Sequence, residues 1–180
     1  LQAGEVKDFL PQPYLGKRNF RPLDRTGRLA GAAVQMTLEN GGCTDDMREE
    51  QLVGLILGTM FGGLHTIAEF DRMGVTLGPK FVKPLDFANT VINAASGQTA
   101  IWHKLRGVNS TIATGGSAGL QALAYGMDLI RSGRSDTLVT GGADELCFES
   151  MYGFYRADML ATAQNAQPAC PVPFDIHRNG

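Results

Sequence analysis

The sequence predicts an α/β fold built in layers, and three observations predict it. Each is a short run of β-branched or aliphatic residues closed by glycine: Leu52 to Leu57 before Gly58, Ser110 to Thr114 before Gly115-Gly116, and Thr137 to Thr140 before Gly141-Gly142. Runs of this length read as buried strands. Helical segments separate them, and strand–helix–strand–helix order joins parallel strands through right-handed crossovers.

In chain order, residues 1–23 hold three prolines and scattered charge, and read as irregular. Leu29, Ala32, Ala33 and Met36 recur at helical spacing, which predicts a helix from Asp24, its cap, to Glu39. Asn40-Gly41-Gly42 stops it. Thr44 to Gln51 is polar and reads as a surface connection. After the first strand, Gly62-Gly63 opens a helix that runs to about Met73. Gly74 to Pro84 reads as loop, and two helical segments follow, Phe87 to Asn93 and Ala94 to Leu105. Arg106-Gly107 turns into the second strand. Ser117 to Arg131 is the longest helix, with Leu120, Ala124, Met127 and Ile130 on one stripe. Small apolar residues on its other faces predict a helix sandwiched between layers. Ser132-Gly133 ends it, the third strand follows, and Phe148 to Tyr155 is helical. Residues 161–173 are a Gln/Ala/Pro-rich loop.

Composition narrows the classes of function. The 180 residues are 43% hydrophobic, enough for one domain with a real core. Sixteen basic and 18 acidic residues leave a net charge of −2, which offers no footprint for nucleic acid. No apolar run reaches membrane-spanning length, so no membrane partner is expected. Three widely spaced cysteines, Cys43, Cys147 and Cys170, fit neither a disulfide framework nor a zinc site. A reducing cytoplasm is the default setting. The first residue is not Met, and the last, Pro173 to Gly180, read as mid-domain sequence. The chain is therefore expected to be a piece of a longer protein, truncated at both ends.

The segment Thr111 to Leu123 carries the chemistry. A strand, a sharp glycine turn and a helix N-terminus form the geometry that seats a nucleophile. The corner residue, Gly116, has no side chain to serve as one.

Several segments now fall into one pattern. Ser110 to Gly119 lies where β-ketoacyl synthases carry a Ser-Ile-Ser-Thr-Ala-Cys run. Asp136-Thr-Leu-Val-Thr-Gly-Gly-Ala-Asp144 is similar to that family's Gly-Gly-Ala-Glu strand. Gly58 to Leu64 resembles its Gly-Thr-Gly-x-Gly-Gly strand end, and Met151 to Leu160 its Gly-Phe-x-x-x-Arg-Ala-Leu-Ser segment. Pro173-Phe-Asp-Ile-His-Arg-Asn-Gly180 closely resembles Pro-Phe-Asp-x-x-Arg-Asp-Gly. The resemblance runs from about Leu15 to the end. It implies a thiolase-like layered αβαβα fold, of which this chain is the central part of the N-terminal half. It also implies a dimer with a ketosynthase-like subunit, an acyl carrier protein as partner, and no cofactor or metal. Two catalytic histidines and a lysine would lie in a second half beyond Gly180. His65, His103 and His177 match none of these.

In an active synthase the elbow cysteine takes the acyl chain as a thioester. The helix N-terminus favours its thiolate, and backbone N–H groups hold the oxyanion. The resemblance places Gly116 at that cysteine, between Gly115 and Ser117, and glycine forms no thioester. No catalytic residue is therefore carried over. Ser117 points roughly 100° further around the helix and needs an adjacent base to become nucleophilic. Its plainer role is to bond nearby backbone. The family includes chain-length factors, which lack the cysteine and pair with an active synthase; they usually carry glutamine there, and this chain departs from that. A decarboxylase role, which the resemblance gives to relatives with that glutamine, is not carried over for the same reason. Three functions stay open: a non-condensing partner of this kind, an acyltransferase with an unconventional nucleophile, and an inactive structural homologue.

Other residues carry paired readings. Phe87, Thr90 and Val91 lie in the stretch that, by resemblance, reaches toward a partner's acyl pocket; core or dimer packing is the alternative. Asp144 or Glu145 is expected to accept buried hydrogen bonds rather than catalyse. Asp175 and Arg178 are spaced to pair. Lys17, Arg18, Arg21, Arg25 and Arg28 read as a solvated or internally paired face, with an acidic carrier protein as the alternative partner. Cys147 reads as a structural thiol.

Overall fold

The structure is a computed structural model that describes residues 3–17, 19–161 and 172–178. The chain divides into two compact units, residues 10–145 and residues 1–9 with 146–180. Arg18 of the basic cluster, Cys170, most of the 161–173 loop and the last two residues of the terminal motif lie outside the described residues.

The first unit is a three-stranded parallel sheet between helices. Its strands are β1 (Gly54–Gly58), β2 (Asn109–Ile112) and β3 (Leu138–Gly142), in the order β2-β1-β3. β1 is central and buried at every position, which is why it reads as a continuous apolar run rather than an alternating one. Its side chains still alternate. Leu55 packs with Val34, Leu38, Ala100 and Leu105 on one face, while Ile56 packs with Ala122 and Leu129 on the other. The first face is covered by α2 (Arg25–Asn40) and α6 (Ala94–Trp102), the second by α7 (Ala118–Arg131).

α2 starts as the sequence predicts. Asp24 is extended, and its carboxylate accepts from Gly27 N–H at 2.7 Å, which satisfies one of the orphan donors of the first turn. α4 (Leu64–Thr76) begins after Gly63 and runs three residues past the predicted end. The second unit holds α8 (Phe148–Arg156), close to the predicted span. There Ser150 Oγ accepts from Cys147 N–H at 3.3 Å and donates to its carbonyl at 3.0 Å.

Four local expectations are corrected. The irregular N-terminal stretch contains α1 (Gln12–Leu15), a single turn led by proline and too short to show periodicity. The surface connection at 44–51 is a helix, α3 (Asp45–Glu50). Thr44 caps it by accepting from Met47 N–H, and Asp45 and Asp46 sit in its first turn. It buries no residue, so only its cap and charges mark it. The helical segment Phe87 to Asn93 is displaced: α5 is Pro84–Phe87, and residues 88–93 are turns and bends. Proline favours the first helical position, so Pro84 starts the helix rather than ending the loop. A 3-10 turn, Pro79–Phe81, lies in the predicted loop before it.

The correction at α7 is larger. The predicted stripe is the exposed one, with Leu120 74% and Met127 44% exposed. The buried stripe is Ala118, Ala122, Gly126 and Leu129. Small residues there let the helix approach the sheet closely, so the large apolar residues that dominate the sequence pattern face outward in this unit. Among the described residues, the sheet covers this one side of the helix.

Candidate functional site

Parallel pairing brings the three strand ends together. Gly58 stands opposite Ile112 on one side and Gly142 on the other. The loops that follow therefore gather at one edge of the sheet, the usual place for a site in a parallel α/β fold. Two bonds extend the ladder there: Thr59 N–H donates to the Ile112 carbonyl at 2.9 Å, and Ala143 N–H to the Gly58 carbonyl at 3.0 Å.

Asp144 ties the first loop to the third. Its Oδ1 accepts from Thr59 Oγ1 at 2.7 Å and from Phe61 N–H at 3.0 Å, and its Oδ2 from Met60 N–H at 2.9 Å. Glu145 is buried and accepts from His65 N–H at 2.9 Å, in the first turn of α4. Both carboxylates are thus structural acceptors, where one was expected. Their charge also suits the N-terminal end of α4.

The elbow follows β2 as a 3-10 turn, Gly115–Ser117, that feeds directly into α7. Gly115 has φ +72°, a left-handed conformation that disfavours any side chain. Gly116 is different. Its φ is not positive, it is exposed, and a Cβ built there meets nothing within 4 Å. Ser117 is exposed too. Its Oγ donates to the Thr114 carbonyl at 3.5 Å and accepts from Gln121 Nε2 at 2.9 Å. Gln121 is an amide and takes no proton from a hydroxyl.

The base of the elbow is tight. A Cβ at Gly58 would overlap the Ala118 carbonyl and lie 2.6 Å from Gly119 N. Backbone meets backbone where α7 crosses β1, and this contact sets the height of the elbow above the sheet. Sequence reasoning took Gly58 only as a strand terminator; the glycine itself was the sole signal of the crossing.

The remaining candidates lie elsewhere. Phe87 is 61% exposed and meets Phe70 with ring centroids 6.0 Å apart. Thr90 Oγ1 donates to the Phe87 carbonyl at 2.8 Å, and Val91 is 47% exposed. With exposed Phe81 and Leu85 they form an apolar surface at α4–α5. Cys43 and Cys147 are half-buried free thiols. His103 is buried and bonds the Gly31 carbonyl through Nε2 at 2.9 Å. Asp175 holds its turn through backbone: its carboxylate accepts from His177 N–H at 2.7 Å, and Arg178 N–H donates to its carbonyl at 3.2 Å. The side-chain pair expected between Asp175 and Arg178 is not among the ion pairs of the described residues. Among those residues no three His, Cys, Asp or Glu side chains are grouped to hold a metal ion, and no helix is long and apolar enough to cross a membrane.

A third carboxylate keeps one oxygen unmet. Asp24 Oδ2 is buried without a hydrogen-bond partner, lying where a Cβ on Gly63 would fall. Desolvation raises its pKa above the ordinary 3.8, against the Gly27 N–H bond and the Arg28 charge, which lower it. A carboxyl raised on folding contributes stability below the unfolded value, and that contribution is lost as pH rises through the folded value. Asp24→Asn keeps an oxygen for Gly27 and removes the buried charge. The parent's melting temperature should therefore fall from about pH 3.8 upward more steeply than the variant's. Parallel melts from acid to neutral pH check this; identical slopes would exclude Asp24 as the titrating group.

A parallel sheet layered with helices, with a glycine elbow rising from its C-terminal edge into a helix, is the architecture of the solved thiolase-like structures that the chain matches, and the fold is thiolase-like. Within that class, the chain belongs to the β-ketoacyl synthase family: residues 5–172 match the model "Beta-ketoacyl synthase, N-terminal domain". It is 35% identical to the 3-oxoacyl-[acyl-carrier-protein] synthase 2 of Rhizobium meliloti (strain 1021), over 98% of this chain and 43% of that one. The synthase 2 of Vibrio cholerae (serotype O1, El Tor Inaba N16961) is 30% identical over 99% of this chain and 43% of its own length. Among solved structures, the ishigamide ketosynthase/chain length factor aligns with TM-score 0.74 and 31% identity, covering 91% of this chain and 45% of that one. A β-ketoacyl synthase from Burkholderia phymatum STM815 shares the fold at TM-score 0.82 and 21% identity, covering 97% of this chain and 43% of the other. The chain spans less than half the length of these relatives.

Proposed function

We propose that this chain belongs to a non-condensing β-ketoacyl synthase homologue that acts like a chain-length factor. It would dimerise with a ketosynthase-like subunit, receive growing chains presented by an acyl carrier protein, and help shape the acyl tunnel in fatty acid or polyketide synthesis in the cytoplasm. One observation carries the reading: Gly116 stands at the position the family motif gives to its nucleophile, on an otherwise family-like scaffold. The likeness to the ishigamide ketosynthase/chain length factor supports it. The exposed apolar surface around Phe87 and Val91 is consistent with a protein that works in an assembly.

The names of the relatives, 3-oxoacyl-[acyl-carrier-protein] synthases, favour a second reading, an active acyltransferase with an unconventional nucleophile. The surroundings of Ser117 weigh against it, since its neighbours are an amide and a carbonyl. Incubation of the intact protein with acyl- and malonyl-carrier protein, without a partner subunit, should yield no condensation product and no acyl adduct by intact mass. A product from the isolated protein would refute the proposal, and an adduct on Ser117 would establish the second reading.

A further inference from the structure

We propose that a pocket away from the elbow, between α1, α2, α3 and the end of α6, binds a compact dianion of the phosphate class. The pocket measures about 300 Å³ and contains none of the elbow residues. Three cationic side chains line it from three separate segments: Lys17 after α1, Arg48 in α3 and Lys104 after α6. Among the described residues Asp45 is the one acidic residue in its wall, which leaves a surplus of two positive charges there against a sequence of net charge −2. Cations drawn from separate segments repel one another, and a bound dianion is the simplest charge that reconciles them.

The hydrogen bonding points the same way. The Arg48 guanidinium donates to Asp45 through Nη2, while its Nε is buried with no acceptor. Lys104 pairs only loosely with Glu49, at 3.9 Å with both side chains half exposed, so its ammonium is available to a ligand.

The walls are also fixed in place. Lys104 sits at φ +56°, a backbone conformation rare for a residue with a side chain. His103 anchors the same turn to the Gly31 carbonyl. Trp102 stacks on Phe20, with centroids 5.7 Å apart and planes inclined by 20°. A charged pocket with rigid aromatic and cationic walls suits an anion that carries a small organic group.

Trp102 is the one tryptophan of this sequence and lines the pocket, so its fluorescence reports on the site directly. The chain is titrated with inorganic phosphate and with phenyl phosphate, at ionic strength held constant with potassium chloride, and acetate serves as the monoanion control. Both phosphates should give a saturable change in Trp102 emission, and acetate none. Equal affinity for the two assigns the free anion; tighter binding of phenyl phosphate assigns a phosphate monoester. Lys104→Gln should weaken binding about tenfold, the loss of one hydrogen bond to a charged group, while Lys104→Arg retains it. Lys17→Gln is the second variant, and far-UV circular dichroism checks that each is folded. A change that chloride alone reproduces, or affinity unaltered in both Gln variants, would overturn the proposal.

Discussion

Gly116→Cys will fold and will add one reactive thiol to the chain. The site accepts a side chain because its φ is not positive and a Cβ there meets nothing within 4 Å. Replacing glycine at such a position restricts the unfolded chain, so stability should hold or rise by about 0.5 kcal/mol. The new sulfur would sit just ahead of α7, a helix of 14 residues, whose N-terminal dipole favours the thiolate. A pKa lowered by about one unit multiplies the thiolate share near neutral pH by almost ten. Iodoacetamide labelling followed by intact mass should show one additional fast adduct over the parent. In the parent the thiols of Cys43 and Cys147 are half-buried and should react slowly. A variant that folds but labels no faster than the parent would show that the turn no longer has the electrostatics of a nucleophile's seat.

Gly58→Ala will be strongly damaging to the sheet. Its Cβ would overlap the Ala118 carbonyl and lie 2.6 Å from Gly119 N. These are backbone atoms, so no rotamer change relieves the clash, and α7 must lift off β1. The expected loss is about 3 kcal/mol, the upper range for overpacking a close-packed interior. Gly97→Ala is the matched control. Gly97 lies inside α6, and a Cβ there meets nothing within 4 Å, so the change should gain up to about 1 kcal/mol from helix propensity. Urea unfolding of the pair separates the two effects. Equal stability would mean that α7 does not rest on Gly58.

These two glycines read alike in the sequence and differ in the fold. Gly58 and Gly116 both close a β-branched or aliphatic run, yet one touches backbone and the other faces open space. Which role each plays depends on where α7 crosses the sheet, and no local pattern carries that. The same limit explains α7 itself. Its large apolar residues form a clear stripe, but the sheet takes Ala118, Ala122 and Gly126 because close approach needs small side chains. α3 was missed for the opposite reason: an exposed helix has no apolar face to show. The carboxylate pair at 144–145 was legible as a set of acceptors, while its donors were not, since Thr59 lies 85 residues from Asp144.

By itself the sequence determined the three strands, the capped helix at Asp24, the glycine elbow and the family to which they belong. All of these rest on short-range chemistry: β-branched runs, a capping carboxylate and glycine-closed ends. Only the tertiary structure decided the order β2-β1-β3, the register that brings Gly58, Ile112 and Gly142 together, and the room beside Gly116. It also decided which cations meet around Trp102. Those features are contacts between distant segments, set by how the layers pack and by the backbone's need to pair every strand, and they exist only once the chain has closed on itself.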